Sequence, residues 1–109
     1  MSIFFDECDL LELFFCEADK VDDDKLGIGL YYKRIKEEYS IEVLIFSDNN
    51  CVLVRIFYRN KKIIEGRFSG VVKIFKKEDF LIISNKTKVV GHINFKNIFK
   101  MSAGFNEMW

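Results

Sequence analysis

The stretch SIEVLIFSDNNCVLVRIFYRNKKIIEGRF, Ser40 to Phe68, holds three strand-like runs separated by two turn signals. Strand side chains alternate between two faces. Ile41, Val43 and Ile45 therefore share one face of the first run, and Val52, Val54, Ile56 and Tyr58 share one face of the second. Asparagine tolerates positive φ, so Asn49-Asn50 suits a two-residue turn. That turn pairs Ile45 with Val54, Val43 with Ile56 and Ile41 with Tyr58. A three-residue loop would set Val43 opposite Arg55 and break the apolar face. In the next hairpin a three-residue loop, Asn60-Lys61-Lys62, pairs Tyr58 with Ile64, Ile56 with Gly66 and Val54 with Phe68. One apolar face then crosses all three strands.

The opposite face carries Leu44, Phe46, Leu53 and Phe57 interleaved with Glu42, Arg55, Arg59, Glu65 and Arg67. A sheet with one wet face should be more polar than this. Two readings follow: the chain's own helix or tail covers part of that face, or the face docks a partner.

Outward from this centre, Leu10, Leu11, Phe14, Phe15 and Ala18 recur at helical spacing and predict a helix over residues 8–19, packed on the sheet. Asp6 or Asp9 supplies the N-cap. Val21 to Lys25 reads as a charged loop, Gly27 to Ile35 as a strand, and Lys36-Glu37-Glu38 as a turn. Beyond Phe68, strands are expected at Val71–Phe75, Phe80–Ser84 and Val89–Phe95, with short polar turns between them. The fold class is therefore α+β, mainly β: one N-terminal helix on a curled, half-barrel-like antiparallel meander of about six to seven strands over residues 27–95. A tail over 97–109 follows, in which Phe105, Met108 and Trp109 are apolar enough to dock.

A length of 109 residues allows one domain, 1–109. Half the residues are hydrophobic, which favours a packed globule over disorder. The sequence has 12 Phe and no Pro, so its strands run without the breaks proline imposes. Richness in Phe, Ile and Lys points to an AT-rich coding sequence and a bacterial or mobile-element origin. Cys8, Cys16 and Cys51 are odd in number and lack a CxxC pairing, which favours a reducing cytoplasm. MSIFF is followed at once by Asp6, Glu7 and Asp9, without a basic segment or cleavage site, so it does not read as a secretory signal. No apolar run reaches the length of a membrane span.

The formal net charge of zero conceals a segregation. Between Asp6 and Asp24 stand nine acidic residues and one Lys, a balance of −8, and the rest of the chain carries +8. Asp22-Asp23-Asp24 lacks the alternate ligand spacing, the glycine and the distal glutamate of an EF-hand, so no calcium site is expected.

Catalysis would have to pass through His92, the single histidine, which reads as an ordinary half-exposed strand residue. Its spacing from Cys51 suggests no nucleophile–base pair, and one His with three scattered Cys matches no zinc pattern. Gly27-Ile28-Gly29 lies inside a strand pattern, not in a phosphate-binding loop. The expectation is a protein that is not an enzyme and has no cofactor and no metal. RFSGVVKIF, from Arg67 to Phe75, has an RNA-recognition flavour but misses that motif's glycines. A stacking surface of Phe57, Arg55, Arg59 and Arg67 is the nucleic-acid alternative, opposed by the acidic N-terminal segment. An apolar ligand inside a half-barrel is another.

In size, charge layout and lack of catalytic residues the sequence resembles the small bacterial immunity proteins of contact-dependent inhibition and related polymorphic toxin systems. The resemblance implies a non-catalytic protein that covers the active site of a cognate, basic toxin, often a nuclease. No motif carries a residue role across. The acidic residues Glu12, Glu17, Asp19, Asp22, Asp23 and Asp24 are then the candidates for partner contact. Their alternative role is to pair with the protein's own Lys and Arg. The half-apolar sheet face would also serve a homodimer.

Overall fold

The computed structural model describes residues 3–96 and 100–103. Helix α1 spans Glu7–Phe14, and nine strands follow among the described residues: β1 Asp19–Asp23, β2 Gly27–Lys36, β3 Tyr39–Phe46, β4 Cys51–Tyr58, β5 Lys61–Phe68, β6 Lys73–Lys77, β7 Phe80–Ser84, β8 Val89–Asn94 and β9 Lys100–Ala103. They form two antiparallel sheets, β1-β2-β3-β4-β5 and β6-β7-β8-β9. The α+β, mainly-β class stands. The expected meander is divided in two because Ser69-Gly70, with Gly70 at φ 69°, breaks the ladder between β5 and β6.

The core lies between the two sheets and beneath the helix. Its first-sheet floor is the face predicted from alternation: Ile41, Val43, Ile45, Val52, Val54 and Ile56 are all buried. Ile74, Leu81, Ile83 and Ile93 close it from the second sheet, and Leu10, Leu13 and Phe14 from the helix. The Phe14 ring meets Tyr32 of β2 at 5.3 Å and Phe95 at 5.0 Å, so the helix, the first sheet and the segment that leaves β8 converge on it.

The β3–β4 register differs from the expected one by two residues, which preserves every face. Ile45 pairs with Val52, Val43 with Val54 and Ile41 with Ile56. The β3–β4 loop has four residues because Asn50 is held elsewhere. Its backbone carbonyl accepts from Val71 N–H at 2.9 Å, and its side-chain amide donates to Val71 O at 2.9 Å. At the β4–β5 turn Tyr58 pairs with Lys61, not Ile64, across the two-residue turn Arg59-Asn60. Both turn residues have positive φ, 50° and 65°. Arginine sits there because Glu38 holds it, accepting from its backbone N–H at 2.8 Å and from its side-chain Nε at 2.9 Å. A bulge between Ile56 and Phe57 then sets Ile56 opposite Ile64 and Val54 opposite Gly66, two residues from the expected partners Gly66 and Phe68, so the apolar face is kept.

Helix α1 is shorter than the predicted 8–19. Asp6 caps it, its Oδ1 accepting from Cys8 N–H at 2.8 Å, and Phe15 ends it in the left-handed region at φ 60°. Arg34 of β2 holds that end. Its guanidinium donates to Leu13 O at 2.9 Å and lies 4.3 Å from the centre of the Phe15 ring. The helix has no basic residue in its last turn, so Arg34 supplies the positive charge its C-terminus favours. The buried stripe is Leu10, Leu13 and Phe14; Leu11 and Phe15, predicted to face the sheet, are 46% and 71% exposed.

Asp19–Asp23, partly read as loop, is the edge strand β1. Asp has low strand propensity, but charged residues are what an unpaired sheet edge tolerates. Of the C-terminal segment, β9 adds to β8; Phe105, Met108 and Trp109 lie outside the described residues. Val71–Phe75 shifts to Lys73–Lys77, while Phe80–Ser84 falls as expected.

Gly29 of β2 lets the buried Phe46 ring lie against the backbone: a Cβ there would sit 2.6 Å from two ring carbons. Gly29→Ala should cost about 1–3 kcal/mol by overpacking, read from urea unfolding. In the same assay Leu10→Ala should cost about 2–5 kcal/mol. Leu11→Ala should cost much less. Equal losses for the two leucines would refute the helix orientation.

Candidate partner-binding face

The acidic segment folds onto one side of the molecule. Because the first sheet is a sequential meander, β1 with Asp19, Asp22 and Asp23 forms one edge, and β5 with Lys61, Lys62 and Arg67 forms the other. The segregation is incomplete: Lys20 and Lys25 stand among the acids, and Arg67 lies near enough to Asp23 to lower its carboxyl.

The six candidate acids divide by their surroundings. Asp23 is structural: its Oδ1 accepts from Lys25 N–H at 2.8 Å and Leu26 N–H at 2.9 Å, closing the β1–β2 turn. The bonds from Leu26 and Lys25, with Lys25 and Arg67 nearby, hold its carboxyl below the usual range. Glu12, on α1, approaches Lys76 Nζ at 3.9 Å. Glu17, Asp19, Asp22 and Asp24 are exposed and make no ion pair among the described residues. Four of the six thus lie along the edge strand and its flanks, with Asp19 and Asp22 on opposite faces of β1.

The outer face of the first sheet is partly self-covered. Phe46, Leu44 and Cys51 are buried with Val21 and Leu26 of the β1–β2 hairpin packed against them. Asn49 fastens the hairpin turn by donating to Leu26 O at 2.7 Å. Below this, polar groups cross the sheet. Tyr31 Oη donates to Glu42 Oε2 at 2.7 Å, Glu42 Oε1 lies 3.5 Å from Arg55, and Arg55 stands opposite Glu65, which pairs with Lys62. Burial, then the bond to Glu42, pushes the Tyr31 hydroxyl up to about 12. Arg55 and Arg59, two of the three arginines of the nucleic-acid alternative, are each matched to a glutamate. Lower on this face Ile35 and Ile63 are 68% and 51% exposed.

A cleft of about 430 Å³ opens between α1 and the β1–β2 hairpin. Leu11, Leu30 and Tyr32 supply its apolar lining, and Glu7, Glu17 and Lys20 its charged groups. Cys8 and Cys16 also line it. Asp6 beside Cys8 pushes that thiol up, and Cys16 Sγ donates to Lys33 O at 3.4 Å. Neither Glu7 nor Tyr32 was a candidate from sequence. The available signal was the helix stripe: Leu10, Leu13 and Phe14, at i, i+3 and i+4, already complete a buried face and release Leu11 to the surface.

Cys51 and His92 are not brought together. Cys51 is in the outer-face cluster of the first sheet, and His92 lies on β8 against the Phe80 ring, 5.3 Å between centroids. Burial pulls the His92 imidazole below its ordinary range. Among the described residues no group of three or more His, Cys, Asp or Glu is arranged to hold a metal. No helix among them is long and apolar enough to cross a membrane.

An edge-acidic two-sheet α+β fold with a helix-lined cleft is the architecture that known proteins must match. No protein-family model and no curated protein sequence matches the chain. Among solved structures, it is similar to a chain of the contact-dependent growth inhibition toxin–immunity protein complex from Klebsiella pneumoniae 342. The TM-score is 0.72 at 16% identity, over 95% of this chain and 98% of that one. The two chains share a fold over the matched length, and the system is of the kind the sequence resembles.

Asp23→Ala should lower the melting temperature at neutral pH. A carboxyl whose folded pKa is depressed stabilises above its unfolded pKa, and that contribution fades as pH falls through the folded value. The gap between wild type and variant should therefore narrow on acidification, in thermal melts from neutral pH to below the carboxylate range. A gap that stays constant would refute the charged turn.

Proposed function

We propose that this chain is the inhibitor half of a toxin–immunity pair. On this reading it is a non-catalytic cytoplasmic protein that binds a cognate toxin and covers its active site. The observation that carries the reading is the similarity, over 95% of this chain, to a chain of a toxin–immunity complex. Of the two roles in such a complex, inhibition suits a chain with one histidine and an acidic segment of net −8.

The acidic edge supports a basic partner. Carboxylates already satisfied inside the protein would add little to association. Glu17, Asp19, Asp22 and Asp24 have no internal ion pair among the described residues, so their field is available to a partner. A toxin with a cationic active cleft, of the kind a nuclease uses to hold phosphates, is the complementary surface. Glu12 extends the contact along the helix; Asp23 contributes by shaping the turn that presents Asp22 and Asp24.

The tagged protein, passed through lysate of its own organism at physiological salt, should retain one basic protein at equal stoichiometry. Expression of that protein alone should arrest growth, and co-expression of this chain should restore it. Retention of nucleic acid that leaves as salt rises would overturn the reading. With the partner in hand, the triple variant Asp19→Asn, Asp22→Asn, Asp24→Asn should slow association about tenfold at low salt. Its melting temperature should hold. Unchanged association would remove the acidic edge from the interface.

A further inference from the structure

We propose that the cleft between α1 and the β1–β2 hairpin receives one arginine side chain of the toxin, its guanidinium shared by Glu7, Glu17 and the Tyr32 hydroxyl. The inference rests on the inhibitor reading and adds to it the residue type that anchors the partner.

Tyr32 is the telling group. Its residue is only 2% exposed, yet its hydroxyl has no hydrogen-bond partner among the described residues. The ring is buried, but the oxygen itself reaches solvent where Tyr32 lines the cleft, so a group entering the cleft can meet it. Burial, then Glu7 and Cys16, both also lining the cleft, push it up to about 12, so it is a protonated phenol at neutral pH. A phenol oxygen accepts as well as donates. An incoming N–H donor would satisfy it.

The remaining lining selects the donor. Glu7 and Glu17 place two carboxylates against one cation, Lys20, whose exposed side chain keeps its ammonium in water. A neutral apolar occupant would strip water from both carboxylates without recompense, and an anion would be repelled. Leu11 and Leu30 offer apolar surface to an aliphatic stem. A guanidinium carries five donors in a planar fork, enough for two carboxylates and a phenol, and stacks on aromatic faces; an ammonium offers three donors from a point. At about 430 Å³ the cleft is within the range of small-ligand sites, roomy enough for the side chain with some flanking backbone. The neighbouring Asp19, Asp22 and Asp24 would steer such a residue toward it.

The test uses N-acetylarginine amide and its neutral isostere N-acetylcitrulline amide, titrated into the isotopically labelled protein at fixed ionic strength. The arginine amide should shift the backbone amide resonances of Leu11, Ala18 and Leu30, saturably and at millimolar concentration. The citrulline amide should not. Tyr32→Phe, which keeps the ring, should weaken the arginine response about tenfold, as should Glu17→Gln. Shifts confined to residues 22–24, equal shifts from both amides, no shift, or an unaffected Tyr32→Phe titration would each overturn the inference. The inhibitor reading does not depend on this result. A captured toxin whose growth arrest this chain relieves would leave that reading intact even if the cleft ignored arginine. Arginine binding with no toxin captured would do the reverse.

Discussion

The contact on which the rest depends is the meeting of Phe14 with Tyr32 and Phe95. Aromatic groups bury large areas, and a T-shaped or tilted pair adds attraction beyond area. Here one ring ties the helix to the first sheet and to the segment that leaves β8. An eight-residue helix is too short to persist alone in water. It exists because Leu10, Leu13 and Phe14 are buried, Asp6 and Arg34 satisfy its ends, and Asp9 Oδ2 accepts from Lys76 N–H of β6 at 3.1 Å.

That anchoring makes the face proposed for partner binding. With Phe14 fixed inward, Phe15 must reverse direction, and the chain leaves the helix to run along the edge of β2 as β1. The cleft is the space left between a helix pinned at its C-terminus and a hairpin pinned by Asn49 to Leu26. The acids on β1 are thus held on a strand bonded to the core sheet, so on the proposed function orienting them would cost little further entropy.

Much of this was written in the sequence. The period-2 alternation of Ile41 to Ile56 identified the core face, and the missing metal spacing steered the reading toward binding. Register was less legible because both hairpins are decided by distant groups: Asn50 is occupied by Val71, and Arg59 by Glu38. A local turn rule cannot see either partner. The edge strand was hidden for a related reason, since Asp19 to Asp23 has the composition of a loop and becomes a strand only beside β2. Of the site, the acidic residues were visible by charge. The unpaired Tyr32 hydroxyl was not, because sequence shows a residue type and not what its oxygen lacks.

In both sheets the spatial order of the strands is their order along the chain. Every ladder is therefore closed by a short connection, and little loop entropy is lost before pairing begins. The exception is the N-terminus, where Phe4 bridges Lys73 in parallel and Asp9 reaches Lys76. During synthesis the helix is made before the sheets and finds its second-sheet partners only after more than half the chain has followed. The helix, made before both sheets of this chain, is the element whose native surroundings are completed late.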